Sequence, residues 1–233
     1  MKKGNKKHGI FLINAPYGGE YLRFRGEPTS ILYASCVLFK EIKEGRFFEL
    51  TPEHIRLYNP GYSDEDFFEK IIKDVCDLRP RLIGICNTTS GNEEARKIAK
   101  LIKTINPDAV TVFGGPHEDG MPPRVPMISN YLRKTDNGQI LKTSAYCTDV
   151  DFSIFGDGEY LFEFLAKEIF KNNGNVSGLK RSLLSESTSV AQIEGHGGIC
   201  FKHPDTHLLV ILRSSQKKLN LSNLPLLPRI SLT

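Results

Sequence analysis

The chain has 233 residues, of which 39% are hydrophobic and 25% charged, with a formal net charge of +4. These totals suit one large globular domain, or one domain with an appendage. They exclude a membrane span, because no apolar run nears the roughly 18 residues one needs. They also give no stacking platform for nucleic acid, since the aromatic residues, 9% with no Trp, are not interleaved with basic ones.

The start, "MKKGNKKHG", reads as a flexible, solvated basic tail over residues 1–8. The apolar run that follows, Ile10 to Ile13, is too short for the core of a signal peptide, so a cytoplasmic protein is expected. "GIFLIN" (Gly9 to Asn14) is a continuous apolar run and predicts a strand buried on both faces. "TSILYASCVLFKEIKEG" predicts a helix with Leu32, Cys36, Phe39 and Ile42 at helical spacing, a cap at Thr29 or Ser30, and a stop at Gly45. "HIRLYNP" (His54 to Pro60) predicts a short second strand. "SDEDFFEKIIKDVCDLRP" predicts a helix with Phe68, Ile71, Ile72 and Val75 on its apolar face.

"RLIGICN" (Arg81 to Asn87), "SGNEEARKIAKLIKTINP" and "DAVTVFGG" read as strand, helix, strand, with Ala95, Ile98, Ile102 and Ile105 inward. This is the βαβ unit of a parallel sheet. After an irregular stretch from Pro116 to Thr148, "DVDFSIFGDGE" (Asp149 to Glu159) gives a fifth strand, and "EYLFEFLAKEIFKNNG" a helix ending at Gly174. The expected fold is α/β: a flavodoxin-like, Rossmann-like, doubly wound five-stranded parallel sheet in the order 2-1-3-4-5 over residues 9–175. Residues 176–233 are expected to be an irregular appendage, with irregular short strands about a Gly-rich turn from Val176 to His207 and a Leu/Pro-rich end without a regular element. In it "GHGG" (Gly195 to Gly198) reads as a turn, not a phosphate loop, since no GK[ST] follows.

Five cysteines, Cys36, Cys76, Cys86, Cys147 and Cys200, are odd in number and widely spaced, with no CxxC or CxxxCxxC. They read as reduced thiols and support neither a zinc site nor an iron–sulfur cluster in this chain.

In an open parallel sheet, ligands sit outside the carboxyl ends of the strands, where the strand order switches. Three loops should meet there: "NAPYGGEYLRFRG" from Asn14, "NTTSGN" from Asn87, and "GGPHEDG" from Gly114. They offer glycines, hydroxyls and amides, but no paired carboxylates and no Ser–His–Asp set, so no catalytic residue is assigned. Each residue also has an ordinary reading. Gly114–Gly115 can be a tight strand exit, and His117 a solvated loop residue. "GDGE" (Gly156 to Glu159) can cradle a polar group at a helix N-terminus, or be only a turn. Arg23 and Arg25 can be plain surface residues.

"LINAP" at strand one, "LIGICNTTSGN" after strand three, "VFGGPHEDG" after strand four and "DFSIFGDGEYLFEFL" after strand five together resemble the cobalamin-binding domain that precedes the catalytic domain in cobalamin-dependent radical SAM proteins. "LSNLPLLPRI" resembles the linker into the radical SAM barrel. The resemblance implies a corrinoid cofactor, cobalamin, held by Asn14, Ala15, Pro16, Tyr17 and Gly19 from the first loop. It adds Thr88, Thr89 and Ser90 from the second, Gly114, Gly115, Pro116 and His117 from the third, and Gly156, Gly158 and Glu159 from the fourth. Where relatives of the methionine-synthase type carry DxHxxG, this chain has Asn14 for Asp and Pro16 for His, and keeps Gly19. Proline has no nitrogen to give a metal, so no protein ligand to cobalt is expected there. Without CxxxCxxC the chain is expected to be non-catalytic alone: a fragment, or a free-standing module whose partner is a radical SAM domain or protein. The alternatives are a flavin- or nucleotide-binding flavodoxin-like protein, and an interaction module with an empty crevice.

Overall fold

Apolar runs of four or five residues form the centre of the computed structural model, which describes residues 9–16, 29–47, 50–60, 66–88, 90–115, 130–132, 149–185, 190–206 and 209–215. Strands β1 (Ile10–Asn14), β2 (Ile55–Tyr58), β3 (Leu82–Cys86), β4 (Val110–Gly114) and β6 (Phe152–Gly156) are all parallel to their neighbours within this set, in the order β2-β1-β3-β4-β6. That is the expected 2-1-3-4-5 order. Ile10 stands opposite both Ile55 and Leu82, and Leu82 opposite Val110, so the inner strands start level and end level. β1 and β3 are buried at every residue, which is why they read as unbroken apolar runs rather than alternating ones.

Helices cover both faces. On one face lie α1 (Thr29–Lys43), α4 (Gly158–Lys171) and α5 (Val176–Leu184). On the other lie α2 (Phe67–Leu78) and α3 (Asn92–Ile105). The α3 face buries Ala95, Ile98, Ala99 and Ile102 completely, against Phe11, Ile13, Ile83, Ile85 and Phe113 of the sheet. Each buried Ile or Phe side chain stabilises the fold by about 1.5–3 kcal/mol, and each Ala methyl by about 0.8 kcal/mol. α2 buries Phe67 with Ile71 and Val75, so its face is turned slightly from the one expected; Phe68 and Ile72 are half-buried. α1 stops as its sequence suggests. Gly45 takes φ +73°, and the amides of Gly45 and Arg46 donate to the carbonyls of Ile42 and Glu41. This crossed pair satisfies the last helical carbonyls.

The C-terminal part differs from expectation. Its described residues, up to Ser215, are not irregular, and the sheet does not stop at five strands. Beyond β6 run β7 (Gly197–Lys202) and β8 (Leu209–Arg213), both antiparallel, giving seven strands; the three-residue β5 (Asn130–Leu132) pairs with the outer edge of β8 and completes eight. α5 buries Leu179 and Leu183 in the same core as α1 and α4. "GHGG" is only half a turn. Gly195 turns the chain at φ +119°, and Gly197 and Gly198 are already strand. A side chain at Gly197 would stand 2.1 Å from the Phe155 carbonyl oxygen, and one at Gly198 2.3 Å from that of Leu212. These glycines are there because neighbouring strands press against them. Ser214 locks the turn, its hydroxyl donating to the Gly195 carbonyl and accepting from the Gly197 amide.

Among the described residues, no helix is long and apolar enough to cross a membrane. Cys36, Cys76, Cys86 and Cys200 are not joined in disulfides, and only Cys76 of these is exposed. The basic start, Arg23, Arg25, Cys147 and the Leu/Pro-rich end lie outside the described residues.

Candidate functional site

Side chains alternate across a strand, and this alternation builds the site. On the α1/α4 side the C-terminal halves of three adjacent strands present Gly84 and Cys86 on β3, Val112 and Gly114 on β4, and Ile154 and Gly156 on β6. Their intervening residues, Ile83, Ile85, Phe113 and Phe155, are large. Mass is thus removed from one face alone. The result is a cavity of about 350 Å³ between sheet and helices, roofed by Ile31, Tyr33 and Ala34 of α1 and by Phe162 of α4. It opens at the carboxyl edge, where the N-terminal turns of both helices lie.

Each glycine has its own cause. Gly115 takes φ +104°, and a side chain there would stand 2.9 Å from the Cys86 sulfur and 3.0 Å from the Asn87 carbonyl oxygen. Gly115 is therefore demanded by the turn itself. Gly114 is not. A Cβ there would meet nothing nearer than the Ile154 carbonyl oxygen, at 3.9 Å. Its missing side chain keeps the cavity open and relieves no clash. Gly84 lets the Phe162 ring lie on the sheet, since a Cβ would come within 2.7 Å of the ring. Gly156 has φ +76°, and a Cβ would fall 1.8 Å from the His196 carbonyl oxygen. The turn into strand β7 thus fixes that glycine as firmly as any ligand could.

Of the residues singled out from sequence, Gly114, Gly115, Gly156, Gly158 and Glu159 line this cavity. Asn14, Ala15, Pro16, Thr88 and Ser90 do not. Asn14 is buried and donates from Nδ2 to Asn59 Oδ1 at 2.8 Å, tying the end of β1 to the end of β2. Ala15 is fully buried, its amide on the Cys86 carbonyl. The Thr88 hydroxyl accepts from the Gly91 amide at 3.0 Å and shapes the entry to α3, and Ser90 is exposed. The first and second loops nevertheless meet. A side chain at Gly91 would stand 2.8 Å from the Pro16 carbonyl oxygen and 2.9 Å from the Thr88 hydroxyl. Tyr17, Gly19, Thr89, Pro116 and His117 lie outside the described residues.

Several lining residues were not singled out: Leu12, Gly84, Val112, Ile154, Phe162 and the first turns of α1. The one signal available was Gly84, a lone glycine inside a strand pattern, which marks a close approach. Asn87 was passed over too. It is fully buried, its amide donates to the Gly114 carbonyl at 2.6 Å, and its Nδ2 donates to Asn92 Oδ1 at 3.1 Å. It couples the turn after β3 to the double glycine after β4.

The two helices that roof the cavity are joined at the far end from its mouth. Glu41 of α1 pairs with Arg46 and with Lys167 of α4, and Lys167 also pairs with Glu163. The Arg46 hydrogen bonds, and Lys167 after them, pull the Glu41 carboxyl down to about 2. Burial pushes the Glu163 carboxyl up, against the pull of Lys167. Among the described residues no group of three or more His, Cys, Asp or Glu gathers to hold a metal ion. The cavity can take an apolar body of modest size with a polar continuation at its mouth. Among the described residues it has no built acid–base or nucleophilic pair.

A family described as B12 binding domain matches residues 49–127. The match runs from the entry to β2 past the end of β4. It includes Gly84, Val112, Gly114 and Gly115, but neither the loop after β1 nor the one after β6. An uncharacterized methyltransferase of Pyrococcus horikoshii is 28% identical over 111 residues, 48% of this chain and 20% of that protein. The chain thus spans about a fifth of the length of the curated relative it matches. The domain match supports corrinoid binding, and the parallel part of the sheet is consistent with it.

Proposed function

We propose that this chain is a cobalamin-binding module. It holds the corrinoid over the carboxyl edge of the sheet, with the nucleotide tail passing into the glycine-floored cavity. The observation that carries this reading is the cavity at the carboxyl edge whose wall is bare at Gly114, where no clash demands a glycine, with Gly84 and Gly114 inside the B12 binding match. A larger side chain at Gly114 would occupy this space, and a bare wall there is what a buried tail requires.

In this reading Gly114, Gly115, Gly156, Gly158 and Glu159 flank the tail at the mouth. Thr88, Thr89 and Ser90, with Pro116 and His117, border the corrinoid from the second and third loops. Asn14, Ala15, Pro16, Tyr17 and Gly19 form the border on the first. Pro16 offers the metal no nitrogen, so the lower face of cobalt receives no ligand from that position. When bound, cobalamin supplies a cobalt centre able to carry a methyl group. The chain's own residues bind, orient and shield it, and none is given a proton-transfer or nucleophilic role. The reaction then belongs to a partner domain or protein, and a radical SAM barrel is the partner that the resemblance implies. A relative named as a methyltransferase is in keeping with that setting.

The test is a titration with hydroxocobalamin and with methylcobalamin, read by visible absorbance and calorimetry. Saturable one-to-one binding with a base-off spectrum is expected. No binding of either corrinoid at high micromolar concentration would overturn the reading.

A further inference from the structure

We infer that a second cavity, at the amino edge of the sheet, binds a phosphorylated small molecule of nucleotide size. It lies at the opposite end of the strands from the cavity described above, and the inference does not rest on the cobalamin reading.

Three loops meet there. "RPR" (Arg79 to Arg81) leads into β3, "NPD" (Asn106 to Asp108) leads into β4, and "NNGN" (Asn172 to Asn175) joins α4 to α5. Together they line a space of about 800 Å³, within the range of small-molecule sites. Among the described lining residues the charged groups are Arg79, Arg81 and Asp108, so this wall is positive on balance and suits an anion.

Both guanidiniums are anchored. Arg79 Nη1 donates to the Ile105 carbonyl at 2.9 Å. The Arg81 guanidinium lies 5.0 Å from the centre of the Phe170 ring, and its stem passes Gly174, where a Cβ would stand 3.5 Å from Arg81 Cγ. Stacking uses the flat face of a guanidinium, while its N–H donors lie along the edge in the fork that matches phosphate. Asn106 adds an acceptor. It is 5% exposed, and its Nδ2 donates to the Pro80 carbonyl at 2.9 Å, which fixes the amide. Among the described residues its Oδ1 accepts no hydrogen bond, and Asn106 lines the cavity. A buried acceptor so placed calls for a donor, such as a hydroxyl or amino group. Anchored guanidiniums with a fixed amide oxygen describe a phosphorylated molecule with a donor-bearing body, and not bare phosphate.

The experiment titrates the purified chain with ADP, with pyrophosphate and with adenosine by calorimetry, and locates ADP by amide hydrogen exchange. ADP is expected to bind one-to-one and more tightly than either part, with protection rising over residues 79–81, 106–108 and 172–177. Arg81→Gln, checked for folding by thermal melt, is expected to weaken ADP about tenfold or more. Asp108→Asn removes the opposing carboxylate and is expected to tighten it, which keeps the test decisive where Arg81→Gln fails to fold. No ADP binding at millimolar concentration would overturn the inference. So would pyrophosphate as tight as ADP, or an affinity that neither substitution moves. Protection confined to residues 31–34 and 156–162 would also overturn it, by placing the nucleotide in the other cavity.

Discussion

The two faces of the sheet use the same strands to opposite ends. On the α2/α3 side, Ile83, Ile85 and Phe113 meet Ala95, Ile98, Ala99 and Ile102, and nearly all are fully buried. On the α1/α4 side, one residue along the same backbone, the strands present Gly84, Gly114 and Gly156, and a cavity of about 350 Å³ is left between sheet and helices. Period-two alternation makes this possible. One strand can be dense on one face and bare on the other, so an open site costs the fold only half of its contacts there. The difference teaches where stability and binding are separately held.

That separation can be broken by mutation on either side. Ile98→Ala, in the dense face, should cost about 2–5 kcal/mol in denaturant unfolding, with corrinoid affinity unchanged in the molecules that remain folded. Gly114→Leu should do the reverse. Its backbone is unstrained and its Cβ would sit in ordinary contact, so stability should change little. The new side chain occupies the cavity, and calorimetry should show affinity falling at least a hundredfold, about 2.7 kcal/mol. Gly115→Ala sits between the two. Its φ of +104° and the 2.9 Å approach to Cys86 should cost about 1–3 kcal/mol of stability, with a smaller loss of affinity.

The smallest effect is expected at the ion pairs joining α1 to α4. Arg46, and after it Lys167, hold the folded Glu41 carboxyl at about 2, below its ordinary value. A lowered folded pKa gives stability that is present above the unfolded value and lost as the pH falls through the folded one. The Glu41 contribution should therefore fade between about pH 5 and pH 2. Glu163 works the other way, because burial raises its carboxyl and acid relieves that cost. Thermal melts of Glu41→Gln should lose part of the acid sensitivity seen in the parent chain over that window. A melt series as steep as the parent's would show that the pairs are screened to no effect.

The parallel half of the fold was legible because β1, β3 and β4 are buried on both faces, which writes them as continuous apolar runs between helices of clear period. The first two residues of β7, Gly197 and Gly198, were read as part of a turn because they answer to the carbonyls of Phe155 and Leu212. That is a tertiary demand, and local pattern carries no trace of it. In the site, the double glycine after β4 announced itself. Gly156 was noticed for a reason that proved incomplete, since His196, just before the neighbouring strand, also requires it. Gly84 was overlooked inside an apolar run. The roof from Ile31, Ala34 and Phe162 exists only once α1 and α4 are laid side by side. Asn14 and Thr88 were rightly placed at the carboxyl edge, but their side chains serve Asn59 and Gly91 rather than the cavity.

Amide hydrogen exchange with and without cobalamin tests the central claim most directly. If the cavity seats the cofactor, protection should rise in peptides covering residues 31–34 and 156–162, the two first turns at its mouth, and stay unchanged in α3 over residues 92–105. Protection confined to α3, or equal on both faces, would contradict a site held on one side of the sheet.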